Sequence, residues 1–328
     1  MATHRLNATP ETVRLGMFDA SFPPVLTIRS GDIVEIECLS GYEAMMPADT
    51  DRFKIPDQLL KIHAAHLPRL GPHILTGPLE IEDAVPGDVL EVRIGEIRPN
   101  NDWGFTLSSP HSGTIPEDFP CKYLSHIAVD PVARSCKPDW GPTLMLAPFF
   151  GVMGVAPSAE LGCLSSREPG AHGGNLDNRE LGTGSRLYLP VWTKGALFSV
   201  GDGHGLQGDG EVCLTALELG LTGILTFYLH KVGKSPFPLS AYPRAETTDH
   251  YISMGLHEDL DEALKIALRE MLALLLHNTT LMPEQAYQLC SLAVDFRGTQ
   301  SVNGKKGIHA LLKKSVFADH VFSFYPVP

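Results

Sequence analysis

Residues Val200 to Cys213 read VGDGHGLQGDGEVC: five glycines, two aspartates, one glutamate and one histidine in fourteen positions. Neither a helix nor an ordinary strand is built this way, because glycine costs backbone entropy and brings no side chain to pack. Carboxylates and an imidazole on a glycine-rich backbone suit a divalent cation, with the glycines allowing close approach. On an extended chain Asp202 and His204 lie two apart and share one face; Asp209 and Glu211 repeat that spacing after a glycine-bounded turn. A second stretch, GAHGGNLDNRE from Gly170 to Glu180, sets His172, Asn175 and Asp177 around paired glycines. A third, GPHILTGP from Gly71 to Pro78, holds His73 between two Gly-Pro turns.

Two such segments lying side by side would bring two imidazoles and several carboxylates together. That donor set suits zinc with one position open for water. The oxygen donors Asn175 and Asp209 would hold calcium or brace the other ligands. The competing reading is a plain turn, since Gly-Asp also leads into strands at Gly31-Asp32 and Gly87-Asp88. Alternating apolar residues follow those two pairs, whereas Gly203, His204 and Gly205 follow Gly201-Asp202. A strand start would not discard its side chains, so the site reading is preferred. His73 alone reads equally as a turn cap, and His63, His66, His111 and His126 read as surface or structural residues.

The elements that must carry these stretches are strands first and helices last. Val25–Ile28, IVEIE after Asp32, VLEVRI after Asp88, SRLYLPVW (Ser185–Trp192), ALFSV (Ala196–Val200) and ILTFYLH (Ile224–His230) are short β-rich runs bounded by turn residues. The two Gly-Asp turns predict hairpins in one antiparallel sheet. Asp259 to Leu276 places Leu260, Leu264, Ala267, Leu268, Met271 and Leu275 at helical spacing, and a second helix is predicted from Pro283 through Ala293. GIHALLKKSVF (Gly307–Phe317) reads as a closing strand or short helix. Without βαβ alternation the fold class is α+β and β-rich: antiparallel sheets, sandwich- or barrel-like, with C-terminal helices packed on them. One unit over 1–328 is expected, with two intimate subdomains, 1–235 (β-rich) and 236–328 (α+β), as the alternative.

Composition narrows the function. The chain has 328 residues, 43% hydrophobic, and a formal net charge of −12 with no basic cluster, which argues against nucleic acid as a partner. No apolar run approaches the ~20 residues of a membrane span, and the N-terminus lacks an apolar signal segment, so a cytoplasmic protein with no membrane association is expected. The six cysteines are widely spaced with no C-x-x-C pair, which predicts buried free thiols rather than disulfides or a cysteine zinc site. There is no G-x-S-x-G, H-E-x-x-H or Walker A motif, and GTGS at Gly182–Ser185 reads as a turn between strands.

Seven blocks together resemble the acetamidase/formamidase family: GPHILTGPLEIEDAVPGDVLEVRI (Gly71–Ile94), GVMGVAP (Gly151–Pro157), HGGNLD (His172–Asp177), LYLPV (Leu187–Val191), GALFSVGDGHGLQGDGEVC (Gly195–Cys213), LCSLAVDFRGTQSVN (Leu289–Asn303) and GIHALLKKSVF. The resemblance spans nearly the whole chain, and HGGNLD with GDGH-x-x-QGDGE is its most specific part. It implies a β-rich fold with α+β elements, a homo-oligomer, and hydrolysis of short primary amides such as formamide or acetamide to the acid and ammonia. It also implies a metal in the acidic and histidine region, with ligands drawn from His172, Asp177, Asp202 and His204. The chain departs from the pattern at Gly205-Leu206, at Ala171 before HGGN and at Met17, and Asn100–Leu146 resembles the family least.

The expected mechanism is metal-assisted amide hydrolysis, zinc being the first expectation and calcium a structural alternative. Glu211 would carry the proton and His73 would hold the carbonyl oxygen. The alternatives are a metal hydrolase of a carbamate, imide or longer amide, and a non-catalytic binding module around structural calcium. Retained histidines speak against the module, because structural calcium takes oxygen ligands. A serine amidase using Ser165-Ser166 or a Cys163 nucleophile has weaker support.

Overall fold

A computed structural model of the chain describes residues 1–234 and 241–317. Its framework is a nine-stranded sheet in the order Thr3–Leu6, Ile33–Cys38, Leu221–His230, Val89–Pro99, Arg186–Pro190, Arg244–Glu246, His250–His257, Lys306–Lys313, Val294–Gln300. A second sheet runs Gly173–Asn175, Phe149–Gly154, Phe198–His204, Ile74–Ile81, Val13–Leu15, with Leu26–Ile28 pairing the strand Ile74–Ile81. Pairing is antiparallel except at Thr3–Leu6 with Ile33–Cys38 and at Leu26–Ile28 with Ile74–Ile81. The main core lies between these sheets: Val34, Ile36, Val92, Leu225 and Phe227 from one meet Leu79, Ile81, Phe150, Phe198 and Val200 from the other. Phe198 and Phe227 meet edge to face at 5.2 Å, and Gly223 leaves room for the Phe150 ring. The β-rich sandwich expected from the alternating runs is therefore present. The nine-stranded sheet is continuous from Thr3 to Lys313, and the 235/236 boundary lies outside the described residues.

The Gly-Asp turns differ from expectation. Neither closes a hairpin; each turns the chain from the second sheet into the first, from Leu26–Ile28 to Ile33–Cys38 and from Ile74–Ile81 to Val89–Pro99. Gly31 and Gly87 take φ of 94° and 93°, and both aspartates are buried. Asp32 accepts from the Ala2 and Arg29 amides, and Asp88 from the Val85 and Val232 amides and Lys231. Gly-Asp is thus a corner device here, supplying a left-handed residue and a carboxylate that caps the free amides. The two entering strands pair with each other, and the two leaving strands flank Leu221–His230.

Among the described residues there are three α-helices: α1 (Asp57–Ala64), α2 (Leu260–Asn278) and α3 (Pro283–Ala293). Asp259 caps α2 by accepting from the Asp261 and Glu262 amides. The buried stripe of α2 is Ala263, Ala267, Met271, Leu274 and Leu275, rotated from the predicted one; Leu260 and Leu264 are exposed. The small residues face inward because the helix lies almost on the sheet backbone at Gly255. A Cβ there would stand 2.0 Å from the Ala263 carbonyl oxygen and 2.5 Å from the Ala267 nitrogen. The Ser253 hydroxyl also donates to the Ala267 carbonyl at 2.7 Å. Gly307–Phe317 forms the strand Lys306–Lys313 and a short 3-10 turn, Lys314–Phe317. All six cysteines are free, but Cys121, Cys163 and Cys213 are exposed rather than buried, since they lie in loops outside the strands.

Gly255→Ala forces helix and sheet apart, and we expect it to destabilise the fold by about 1–3 kcal/mol or more. Chemical denaturation checks this; an unchanged midpoint would show that α2 is free to shift.

Candidate active site

The second sheet supplies the floor of the site. In its strand Phe149–Gly154, Gly151 lies between Asp202 on one neighbouring strand and Asp177, which follows Gly173–Asn175, on the other side. The Asp177 amide donates to the Gly151 carbonyl at 3.1 Å. A Cβ on Gly151 would stand 2.5 Å from Asp177 Oδ1, 2.6 Å from Asp202 Oδ2 and 2.7 Å from His204 Cε1. Two carboxylates and an imidazole therefore converge over a residue that must have no side chain. Glu211 and Glu218 complete the group, all five being buried. Candidate ligand atoms of Asp177, His204 and Glu211 lie within 4.8 Å of one another, and so do those of Asp202, His204 and Glu218.

The backbone reaches this arrangement through unfavourable conformations. Asp177, Asp202 and Glu211 have φ of 45°, 57° and 44°, a left-handed region that non-glycine residues rarely take. Such conformations persist only where the surroundings enforce them, commonly at functional sites. The loop carrying Glu211 is held by Gly210, whose amide donates to the Thr299 carbonyl and whose carbonyl accepts from the Ser301 amide, each at 3.0 Å. Asn303 donates through Nδ2 to Asp177 Oδ2. The C-terminal region thus fixes two of the four carboxylates.

His204 is oriented by Gln207. The Gln207 amide nitrogen donates to the Asp177 carbonyl at 2.7 Å, so its Oε1 faces His204 Nδ1, 2.9 Å away, and accepts from it. That hydrogen bond leaves Nε2 toward the acids, 3.2 Å from Asp202 Oδ2 and 3.3 Å from Glu218 Oε1. Burial opposes the imidazolium, but Glu218 and Asp202 outweigh it and raise the His204 pKa well above its usual value. Burial pushes the Asp177 carboxyl up to about 7 and Glu218 up to about 8, with Asp202 adding to both. Burial, then Asp177, raises Glu211 well above the carboxylate range. Asp202 alone is lowered: His73 and His204 overcome its burial. Four buried carboxyls outnumber the one imidazole, and His204 Nε2, Asp177 Oδ1 and Glu211 Oε2 are buried without hydrogen-bond partners. These residues fit a divalent cation.

His73 stands at the edge of the group, Nε2 3.6 Å from Asp202 Oδ2 and Nδ1 2.8 Å from the Ser166 hydroxyl; burial lowers its pKa. A cavity of about 430 Å³ opens over the acids and is lined by His73, Asn175, Asp177, Asp202, Glu211 and Glu218 among others. Asn175 donates to the Arg167 carbonyl, and its Oδ1 is buried without a partner.

The remaining sequence candidates lie apart. His172 lines a separate cavity with Trp192 and Lys305, its ring edge-on to Phe18 at 5.1 Å; burial lowers its pKa to about 4. Left-handed Gly173 and Gly174 (φ 89° and 84°) break the alternation that would have aligned it with Asp177. Asp209 lies at the surface, 4.0 Å from Arg297. Leu206 packs on the main core rather than lining the cavity, and Ala171 lines the His172 cavity. Ser166 is fully buried against His73, and burial and Asp19 raise the Cys163 thiol, contrary to what a nucleophile needs. Sequence reading missed Glu218, which sits in an ordinary apolar run. It also assigned no part to Gly151, Gln207 and Asn303, although all three lie within the family-like blocks.

The model of the Acetamidase/Formamidase family matches residues 16–170 and 164–317. The chain belongs to this family. It is 25% identical to the acetamidase of Mycolicibacterium smegmatis over 258 residues, 60% of this chain and 61% of that protein. It spans less than two thirds of the length of the curated relatives it matches. The crystal structure of the Bacillus halodurans acetamidase is similar with a TM-score of 0.81 and 29% identity, over 96% of this chain and 98% of that one. The Yersinia enterocolitica acetamidase gives 0.82 and 29%, over 97% and 93%. Among the described residues no helix is long and apolar enough to cross a membrane.

Gly151→Ala places a methyl carbon at the point where the acids converge. We expect native circular dichroism with uptake of added zinc lost; full uptake would show that the cation does not lie over Gly151.

Proposed function

We propose that this protein hydrolyses small primary amides to a carboxylate and ammonia at a divalent-metal centre over Gly151. The observation that carries this reading is the set of unpartnered buried atoms, His204 Nε2, Asp177 Oδ1 and Glu211 Oε2, which share one small space. Family membership and the acetamidase names of the similar proteins support the amide. Asp202, His204 and Glu218 would hold the ion with Asp177 beside them. The imidazole donor favours zinc over a purely structural calcium. The bound ion would supply Lewis acidity, lowering the pKa of water and polarising a carbonyl.

The chain's own residues do the rest. Glu211, whose Oε2 faces the cavity floor without a partner, takes the proton of the attacking water and passes it to the leaving nitrogen. His73, with Nδ1 2.8 Å from the Ser166 hydroxyl and Nε2 toward Asp202, holds the amide oxygen. Gln207 keeps the His204 lone pair toward the ligands, and Asn303 fixes the Asp177 carboxylate. The protein acts as a homo-oligomer in the cytoplasm, with a small neutral amide as its partner and neither nucleic acid nor membrane.

Glu211→Gln should lower ammonia release about 10²-fold or more, the span of a lost general base, with metal content unchanged. Full activity with the metal retained would remove Glu211 from that role. Metal binding must displace protons from Asp177 and Glu218, which burial pushes up to about 7 and about 8, and from His204, which Glu218 and Asp202 raise well above its usual value. Zinc affinity measured by calorimetry should therefore rise as pH passes through that interval, with proton release. A flat profile would contradict the ligand set.

A further inference from the structure

The cavity over the acids is far larger than the smallest amides need. A water molecule's share of liquid volume is about 30 Å³, so 430 Å³ is room for on the order of fourteen waters. Acetamide has only four non-hydrogen atoms. With its amide at the acidic floor it would leave the rest of the lining facing water, whereas well-fitted ligands bury most of their surface.

Met45, Phe105, Leu107 and Leu214 give the cavity an apolar patch, beside the polar residues Ser40, Tyr42, Ser109, Ser112, Arg167 and Thr215. Phe105 and Leu107 are alternate residues of the strand Trp103–Ser108 and point to one side. Phe105 is buried in a cluster with Phe53 and Trp103, against which Met45 packs, so the patch is rigid. It is also tied to the floor: the Phe105 amide donates to the Glu218 carbonyl at 2.9 Å, and the Glu218 amide to the Phe105 carbonyl at 2.8 Å. The distance from acids to apolar patch is therefore fixed through Glu218 itself.

Resting on the hydrolase reading above, we propose that the substrates are primary amides with a bulky, uncharged, apolar acyl group, such as an arylacetamide or a cycloalkane carboxamide. The carboxamide lies over Gly151 and the ring against Met45, Phe105, Leu107 and Leu214.

The test is ammonia release by the full-length, metal-loaded protein from acetamide and from phenylacetamide, both of which place a saturated carbon next to the carbonyl. We expect kcat/KM at least tenfold higher for phenylacetamide, since a few additional buried carbons in an apolar pocket give that much discrimination. Met45→Trp, which fills the cavity, should lower the phenylacetamide-to-acetamide ratio at least tenfold. Leu107→Ala should lower it severalfold, chiefly through KM. Should either variant fail to fold by circular dichroism, the other still decides. Turnover of acetamide with no preference for phenylacetamide, or ratios unmoved in folded variants, overturns the proposal and leaves the hydrolase reading standing. No ammonia from either amide overturns both.

Discussion

Burying four carboxyls around one imidazole is the constraint on which the rest of this structure depends. Asp177, Asp202, Glu211 and Glu218 crowd His204 in a space where a single Cβ on Gly151 would collide with Asp177, Asp202 and His204. Like charges at this separation and burial cannot all remain ionised, and the raised pKa values of three of the acids express that conflict. A bound cation would resolve it by replacing the protons. The supporting hydrogen bonds from Gln207 and Asn303 orient side chains while leaving their inward atoms free. A merely structural polar cluster would be expected to satisfy those atoms internally.

The fold can be read as the means of meeting this constraint. One sheet provides three adjacent strands whose central member is glycine at the crossing point, and the larger sheet backs it with the main core. The C-terminal segment then reaches back, through Thr299, Ser301 and Asn303, to pin the Glu211 loop and Asp177. Thr299 belongs to the strand Val294–Gln300, which pairs with Lys306–Lys313, the neighbour of the strand on which Gly255 meets α2.

Much of this was legible in the sequence. Alternating runs after turn residues gave the strands, Pro283 and Ala293 bound α3 as read, and glycine density marked Asp202, His204 and Glu211. What was not legible required knowing which strands become neighbours. The Gly-Asp pairs look like hairpin turns locally but join two different sheets. The α2 stripe rotated because only the tertiary contact at Gly255 rewards alanines over leucines. Glu218 lies in LTALELGL, where nothing local distinguishes it from a surface residue of a strand. His172 was grouped with Asp177 by proximity, yet two left-handed glycines between them send its ring into another cavity.

The most direct measurement is anomalous X-ray diffraction at a zinc absorption edge from crystals of the protein as purified, with ammonia release assayed on the same preparation. The metal centre described here predicts one strong peak among Asp177, Asp202, His204 and Glu218, next to Gly151. A metal at His172 instead, or full amidase activity in metal-free protein with no peak over Gly151, would contradict it.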